Sequence, residues 1–290
     1  MHLVLYGVLL GLLIGGVFAL MASGLALVWG VMRIINLAQA AFVILGAYLD
    51  YTAFVRFHID PFVAIVPVGI VMFGIGVGVF YLFFRPLKAE RTTLSILVSY
   101  AVLLGCVGAL GSIYSTNDAF ISPSYVLDSW EVLGFQIPLV EVGGFFISAV
   151  LVGGLFWFLS ASRLGRAIRA ATQNPSAATL LGVRTDLVGA LGFGIGTATA
   201  AVAGAIYGMI YSFNPNSSLD LVGILLCIVV VGGFGSLSGA IVAALALGIS
   251  SSLVFVYQPV WSGLGFYGIL AVVLLVRPQG LWGVAQWRVE

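Results

Sequence analysis

Lys88 is the one lysine in the chain, and Pro86 and Leu87 precede it rather than a glycine-rich turn. A phosphate-binding loop needs Gly-Lys-Ser/Thr after such a turn, where backbone amides cradle the phosphates. The chain therefore does not bind ATP by that means. It has no G-x-S-x-G and no H-E-x-x-H, and no pair of carboxylates reads as buried for acid–base work. His2 and His58 lie near the ends of apolar runs without Cys or His partners at metal-ligand spacing. Cys106 and Cys227 each sit inside an apolar run, which argues against a disulfide framework. No catalytic set, cofactor motif or metal site emerges.

Charges inside the apolar runs are equally scarce. Asp50 and Glu141 fall close to the outer ends of theirs. A charge at mid-membrane is costly and is kept for function, so proton- or sodium-driven transporters tend to carry one there. Its absence weakens a secondary-transporter reading, although backbone carbonyls and helix ends also bind ions.

The elements that must position these residues are membrane spans. The chain is 62% hydrophobic and only 7% charged, with a mean hydropathy of +1.20. A soluble domain of 290 residues has no way to cover that much apolar surface. The net charge of +1 gives nothing for a nucleic acid to hold. About 20 apolar residues cross the hydrocarbon core as a helix. Apolar runs at roughly 3–31, 38–55, 62–84, 93–115, 139–160, 187–211, 221–235, 238–257 and 264–276 predict about nine spans, within a range of eight to ten. The expected fold is an all-α integral membrane protein, a polytopic bundle with short re-entrant or broken segments. It forms one transmembrane domain over 1–290, with no signal peptide and no soluble domain at either end.

Basic residues orient the bundle. Ten of the eleven (Arg33, Arg85, Lys88, Arg91, Arg163, Arg166, Arg169, Arg184, Arg277 and Arg288) fall on one side of a nine-span arrangement, and only Arg56 falls on the other. The positive-inside rule assigns the first side to the cytoplasm. The long connection 162–186 is then inside, and 116–138 is an irregular outer loop. Gly7, Gly11 and Gly15 continue into Ala19 and Ser23 as a row at spacing four, which lets helices approach closely in lipid. Gly192/Gly196 and Gly204/Gly208 read the same way.

Three segments stand out. In 162–186, Ser162 is placed to cap a helix, Asn174-Pro175 to start a second short one, and Gly182 to end it. The short helix would present Ala177, Ala178, Leu180 and Leu181 beside a basic approach. That suits either docking into a groove of another protein or lying on anionic lipid. Gly232-Gly233-Phe234-Gly235-Ser236-Leu237-Ser238-Gly239 breaks a helix, as a tight inner turn or as a re-entrant gating segment. Asn36 and Gln39, after Arg33, either cap helix ends or line a solute path.

These motifs together resemble the permease subunits of branched-chain amino-acid ABC importers, a family that also includes urea and short-amide permeases. The resemblance rests on five segments. They are Gly11-Leu12 through Asn36-Leu37-Ala38; Arg85-Pro86-Leu87; Arg169-Ala170 with Asn174, Ala177-Ala178 and Gly182; Gly232-Gly233 with Gly235-Ser236 and Gly239-Ala240; and the tail Arg277-Pro278-Gln279-Gly280-Leu281-Trp282-Gly283. They span nearly the whole chain in the family's order. The chain departs from the pattern at Gln39-Ala40-Ala41, Ala243-Ala244 and Thr92-Thr93-Leu94-Ser95, which bears on the substrate more than on the family.

The resemblance implies an assembly in the bacterial inner membrane. It would hold this chain, a second permease, cytoplasmic ATP-binding subunits and an extracytoplasmic solute-binding protein, all around the lipid bilayer. It implies an ATPase-coupling loop containing Arg166, Arg169, Asn174, Ala177, Ala178 and Gly182. Asn36, Gln39, Gly232, Gly233, Gly235 and Ser236 are the candidates for the translocation path. Branched-chain amino acids, urea or amides, and small aromatic acids are the substrate classes that fit. An ATP-independent facilitator is the alternative of another class, and it leaves the basic loop unexplained.

Overall fold

The computed structural model describes residues 2–87, 91–132, 134–173, 175–277 and 279–282. Among them, seven helices are long and apolar enough to cross a membrane. They are α1 (His2–Met32), α2 (Ala38–Phe57), α3 (Pro61–Val79) with its π-helical extension Phe80–Phe84, α4 (Arg91–Tyr114), α5 (Leu139–Ala161), α8 (Thr185–Ile210) and α10 (Leu237–Tyr257). Between α5 and α8 lie α6 (Arg163–Gln173) and α7 (Pro175–Leu180). Two shorter apolar helices, α9 (Ser217–Gly232) and α11 (Ser262–Val276), occupy the remaining expected spans. At 1.5 Å per residue each is about 24 Å or less, short of a full hydrocarbon crossing.

The core is built on α1, α2, α8 and α10, and close approach between them depends on absent side chains. A Cβ on Gly11 would come 2.5 Å from Ile249 Cα, and one on Gly248 would come 2.7 Å from the Gly11 carbonyl oxygen. The small-residue row of α1 is therefore the seat of α10. Gly192 and Gly196 meet Val31, Val28 and Gly24 of α1, while Gly204 meets the Val43 backbone of α2. In lipid, where there is little hydrophobic drive between helices, such contact is what holds them. By contrast α3, α4 and α5 are mostly exposed and carry large apolar side chains outward, among them Ile70, Leu97 and Val150.

The chain links give the bundle two distinct ends. At one, Arg85 pairs with Asp186 at 3.1 Å, the Thr92 hydroxyl donates to the Arg33 carbonyl, and the 233–236 turn lies against Gly30. At the other, Ala119 bridges Phe213, Asn214 donates to Asp118 at 2.8 Å, and Tyr125 donates to Asp60 at 2.8 Å. The first end gathers Arg33, Arg85, Arg163, Arg166, Arg169 and Arg184, while the second gathers Asp60, Asp118, Asp128, Glu131, Glu141 and Asp220 with Arg56. Burial, and then the hydrogen bond to Asp60, hold the Tyr125 phenol far above its ordinary pKa, so it stays a donor to that carboxylate.

One expectation needs correction. The 116–138 connection is not wholly irregular. It contains an antiparallel hairpin of β1 (Ser129–Val132) and β2 (Phe135–Pro138), turned at Gly134 with φ +81°. Phe135 stacks on Tyr6 at 5.6 Å, which folds the hairpin over the start of α1. Irregular backbone also enters the bundle between α1 and α2. Residues 33–37 link α1 to α2 with Ile34 and Asn36 fully buried, and Ser99 of α4 donates to the Ile35 carbonyl at 3.1 Å. Ser99 is eight residues into α4, so the link reaches about 12 Å along that helix. Non-helical backbone at such depth survives only where protein groups satisfy it, and the α4 hydroxyls do this.

Candidate functional site

At the basic end the α6–α7 hairpin has the local geometry its sequence demands. Ser162 accepts the Gly165 amide at 2.8 Å and so caps α6. Gly182, at φ +83°, donates to the Thr179 carbonyl while Val183 donates to Ala178, which closes α7. Arg166 donates to the Ala161 carbonyl at 3.0 Å and Arg169 to Ser160 at 3.1 Å. Both guanidinium groups thus satisfy carbonyls at the C-terminus of α5 and hold the α5–α6 corner. Asn174 lies outside the described residues, as does the side chain of Ala177.

Ala178 differs from expectation. It is not presented outward: with 2% exposure it joins Ile168, Ala171, Leu27, Val31, Leu155 and Val188 in a cluster that seats α6 and α7 on α1, α5 and α8. The outward residues are Leu180 and Leu181, 89% and 83% exposed. Two bare leucines beside Arg184 are costly in water and suited to a partner's apolar groove. The Ile168–Ala178 cluster connects the hairpin to three spanning helices.

The path candidates separate into two groups. Gly232, Gly233, Gly235 and Ser236 come together as the α9–α10 turn. Gly233 and Gly235 take φ of +93° and +80°, and Ser236 caps α10 by accepting the Gly239 amide at 3.0 Å. A Cβ on Gly232 would come 2.5 Å from the Gly239 carbonyl carbon, so the two helices touch there. The tail completes the turn, with Leu281 donating to the Val231 carbonyl at 2.8 Å and Trp282 to Gly232 at 3.2 Å. These are carbonyls that the end of α9 leaves unpaired. Gly235 shares a 330 Å³ cleft with Arg169, Leu27 and Val31, which joins the turn to the α6–α7 hairpin.

Asn36 and Gln39 form the other group. Both are 1% exposed. Gln39 donates to the Gly196 carbonyl of α8 at 2.9 Å and accepts from Asn36 at 3.4 Å. They brace helices in this conformation.

The acidic end holds a cavity that sequence reasoning did not single out. It measures 420 Å³ and lies among α1, α5, α8, α9, α10 and α11. Glu141, in the first turn of α5, faces it together with Tyr207 and Tyr211 at the end of α8. Phe18, Ile224 and Phe266 form its apolar wall, with Phe18 and Phe266 edge to face at 5.5 Å. Gly144 lets α5 approach α8 there, since a Cβ would come 2.5 Å from Ile206. Asp50 also proves deeper than its place in the sequence suggests. It is fully buried, and neither carboxylate oxygen has a hydrogen-bond partner. The signal for both was available: two carboxylates inside helices otherwise almost free of charge.

The chain is similar to the high-affinity branched-chain amino acid transport permease LivH of Salmonella typhimurium, with 27% identity over 94% of this chain and 93% of the relative. It is similar to BraD of Pseudomonas aeruginosa at 28%, covering 94% of each chain. A shorter match, 32% identical over 41% of this chain and 38% of the relative, is to the autoinducer 2 import permease LsrC of Photorhabdus laumondii. No solved structure matches. The family described as branched-chain amino acid transport system, permease component, matches residues 7–275, and the chain belongs to that family of membrane permeases.

Proposed function

We propose that this chain is a membrane-spanning subunit of an ATP-driven importer in a bacterial inner membrane, carrying branched-chain amino acids or similar small polar solutes inward. The observation that carries this reading is the α6–α7 hairpin of a chain in this permease family. Leu180 and Leu181 point out of the bundle, while Ile168 and Ala178 are locked into α1, α5 and α8. The basic end faces the cytoplasm, where a separate ATP-binding subunit grips the hairpin. A second permease completes the pathway, and a solute-binding protein delivers substrate to the acidic end. Without a phosphate-binding loop the chain draws its energy from that partner. The test is reconstitution of the chain with its partners in vesicles. Labelled leucine accumulates only when ATP is hydrolysed, and uptake by the chain alone would refute the assignment.

A further inference from the structure

The cavity at the acidic end contains a carboxylate with an unmet requirement. Glu141 Oε2 is buried and has no hydrogen-bond partner. Its first-turn position on α5 explains why a negative charge is tolerated at a helix N-terminus. It supplies no hydrogen-bond donor to that oxygen, and a carboxylate on the wall of a cavity without a compensating charge is stabilised when a donor or a cation arrives. Among the described residues that line the cavity, none carries a positive charge. Opposite the carboxylate the wall is aliphatic and aromatic, and the volume of 420 Å³ falls within the roughly 300–1,000 Å³ of small-molecule sites. The complementary ligand is a protonated primary amine on a compact apolar skeleton.

We propose that this cavity is a solute subsite on the outer side of the permease, with Glu141 receiving the protonated amine and Phe18, Ile224 and Phe266 receiving the branched side chain. The Tyr207 and Tyr211 hydroxyls are donors available to the solute's carboxylate. The assignment rests on the importer reading and deepens it, since it states which part of the solute this chain itself recognises. A lipid with an amine headgroup offers the same chemistry, and the experiment separates the two sources.

Gly263 lines the cavity, and nothing lies within 4 Å of where its Cβ would be. A Gly263→Cys variant, with Cys106 and Cys227 replaced by Ala, places a reactive thiol at the wall without steric conflict. Its maleimide labelling is followed in the assembled transporter in phosphatidylcholine vesicles. Millimolar leucine or 3-methylbutylamine is expected to slow labelling at least threefold, while 4-methylpentanoate, which lacks the amine, leaves the rate unchanged. Adding Glu141→Gln should abolish protection, measured as the ratio of labelling rates with and without solute in that variant. Ser252→Cys, on the same wall, repeats the measurement if the first variant misfolds. Equal protection by the acid, protection that survives Glu141→Gln, or no protection at all would overturn the proposal. So would slowing by phosphatidylethanolamine vesicles alone, which would assign the cavity to lipid. Labelling needs no ATP, so its failure is distinct from a failure of ATP-driven uptake, which would refute the importer reading itself.

Discussion

The side-chain amide of Gln39 donates to the carbonyl oxygen of Gly196 at 2.9 Å, joining the first turn of α2 to the middle of α8. The same carbonyl accepts the Thr199 hydroxyl at 2.9 Å, and Gly24 of α1 leaves the room in which this knot sits. A Cβ at Gly24 would come 2.5 Å from both Gln39 Nε2 and Thr199 Oγ1. Three helices therefore meet at one polar point where any added atom is felt.

Gly24→Ala should destabilise the protein by about 1–3 kcal/mol through overpacking, seen as a lower melting temperature in detergent. Gly74→Ala is the matched control, because nothing lies within 4 Å of its Cβ position. That control should be neutral or slightly stabilising through helix propensity, by up to about 1 kcal/mol. Equal effects at the two sites would show that the knot does not control helix packing.

The α1–α10 seam makes a parallel prediction. Gly11→Leu forces α10 away from α1, because even a Cβ there meets the Ile249 backbone. Loss of folded, monodisperse protein on size-exclusion chromatography is expected. A variant that stays monodisperse with unchanged melting would mean that the seam is not a structural contact.

The hairpin separates coupling from folding. Leu180→Ser with Leu181→Ser should leave melting within about 0.5 kcal/mol of the parent, as exposed positions do. The same variant should lose most ATP-driven uptake and most co-purifying ATPase. Ile168→Ala removes part of the buried cluster and should cost about 2–5 kcal/mol. Ala178→Trp should fail by misfolding rather than by blocking a dock, because Ala178 is already enclosed.

Asp50→Asn should be neutral or stabilising by about 1 kcal/mol, since it removes a buried charge that no group partners in this conformation. A melting temperature lowered by several degrees would reveal a partner for the carboxylate in the assembled complex.

The spans were legible in the sequence because hydropathy is a local property: all nine apolar runs became helices, two of them short. Capping was legible for the same reason, so Ser162 and Gly182 do what their residue types prescribe. The β-hairpin was missed although Trp130, Val132, Phe135 and Ile137 alternate with polar residues around Gly134. That signal is weak beside long apolar runs. Ala178 was misjudged because its burial comes from α1, α5 and α8, far away in the chain. Glu141 gained meaning only when α1, α5, α8, α9, α10 and α11 closed a cavity around it.

The most direct test of the central claim is ATP-dependent leucine uptake by the reconstituted complex carrying Leu180→Ser and Leu181→Ser, set beside the unaltered complex. The expected result is normal insertion and melting with uptake reduced at least tenfold and ATPase released from the vesicles. Full ATP-driven uptake by that variant, with the ATPase still bound, would contradict the hairpin as the point where the partner's work enters the bundle.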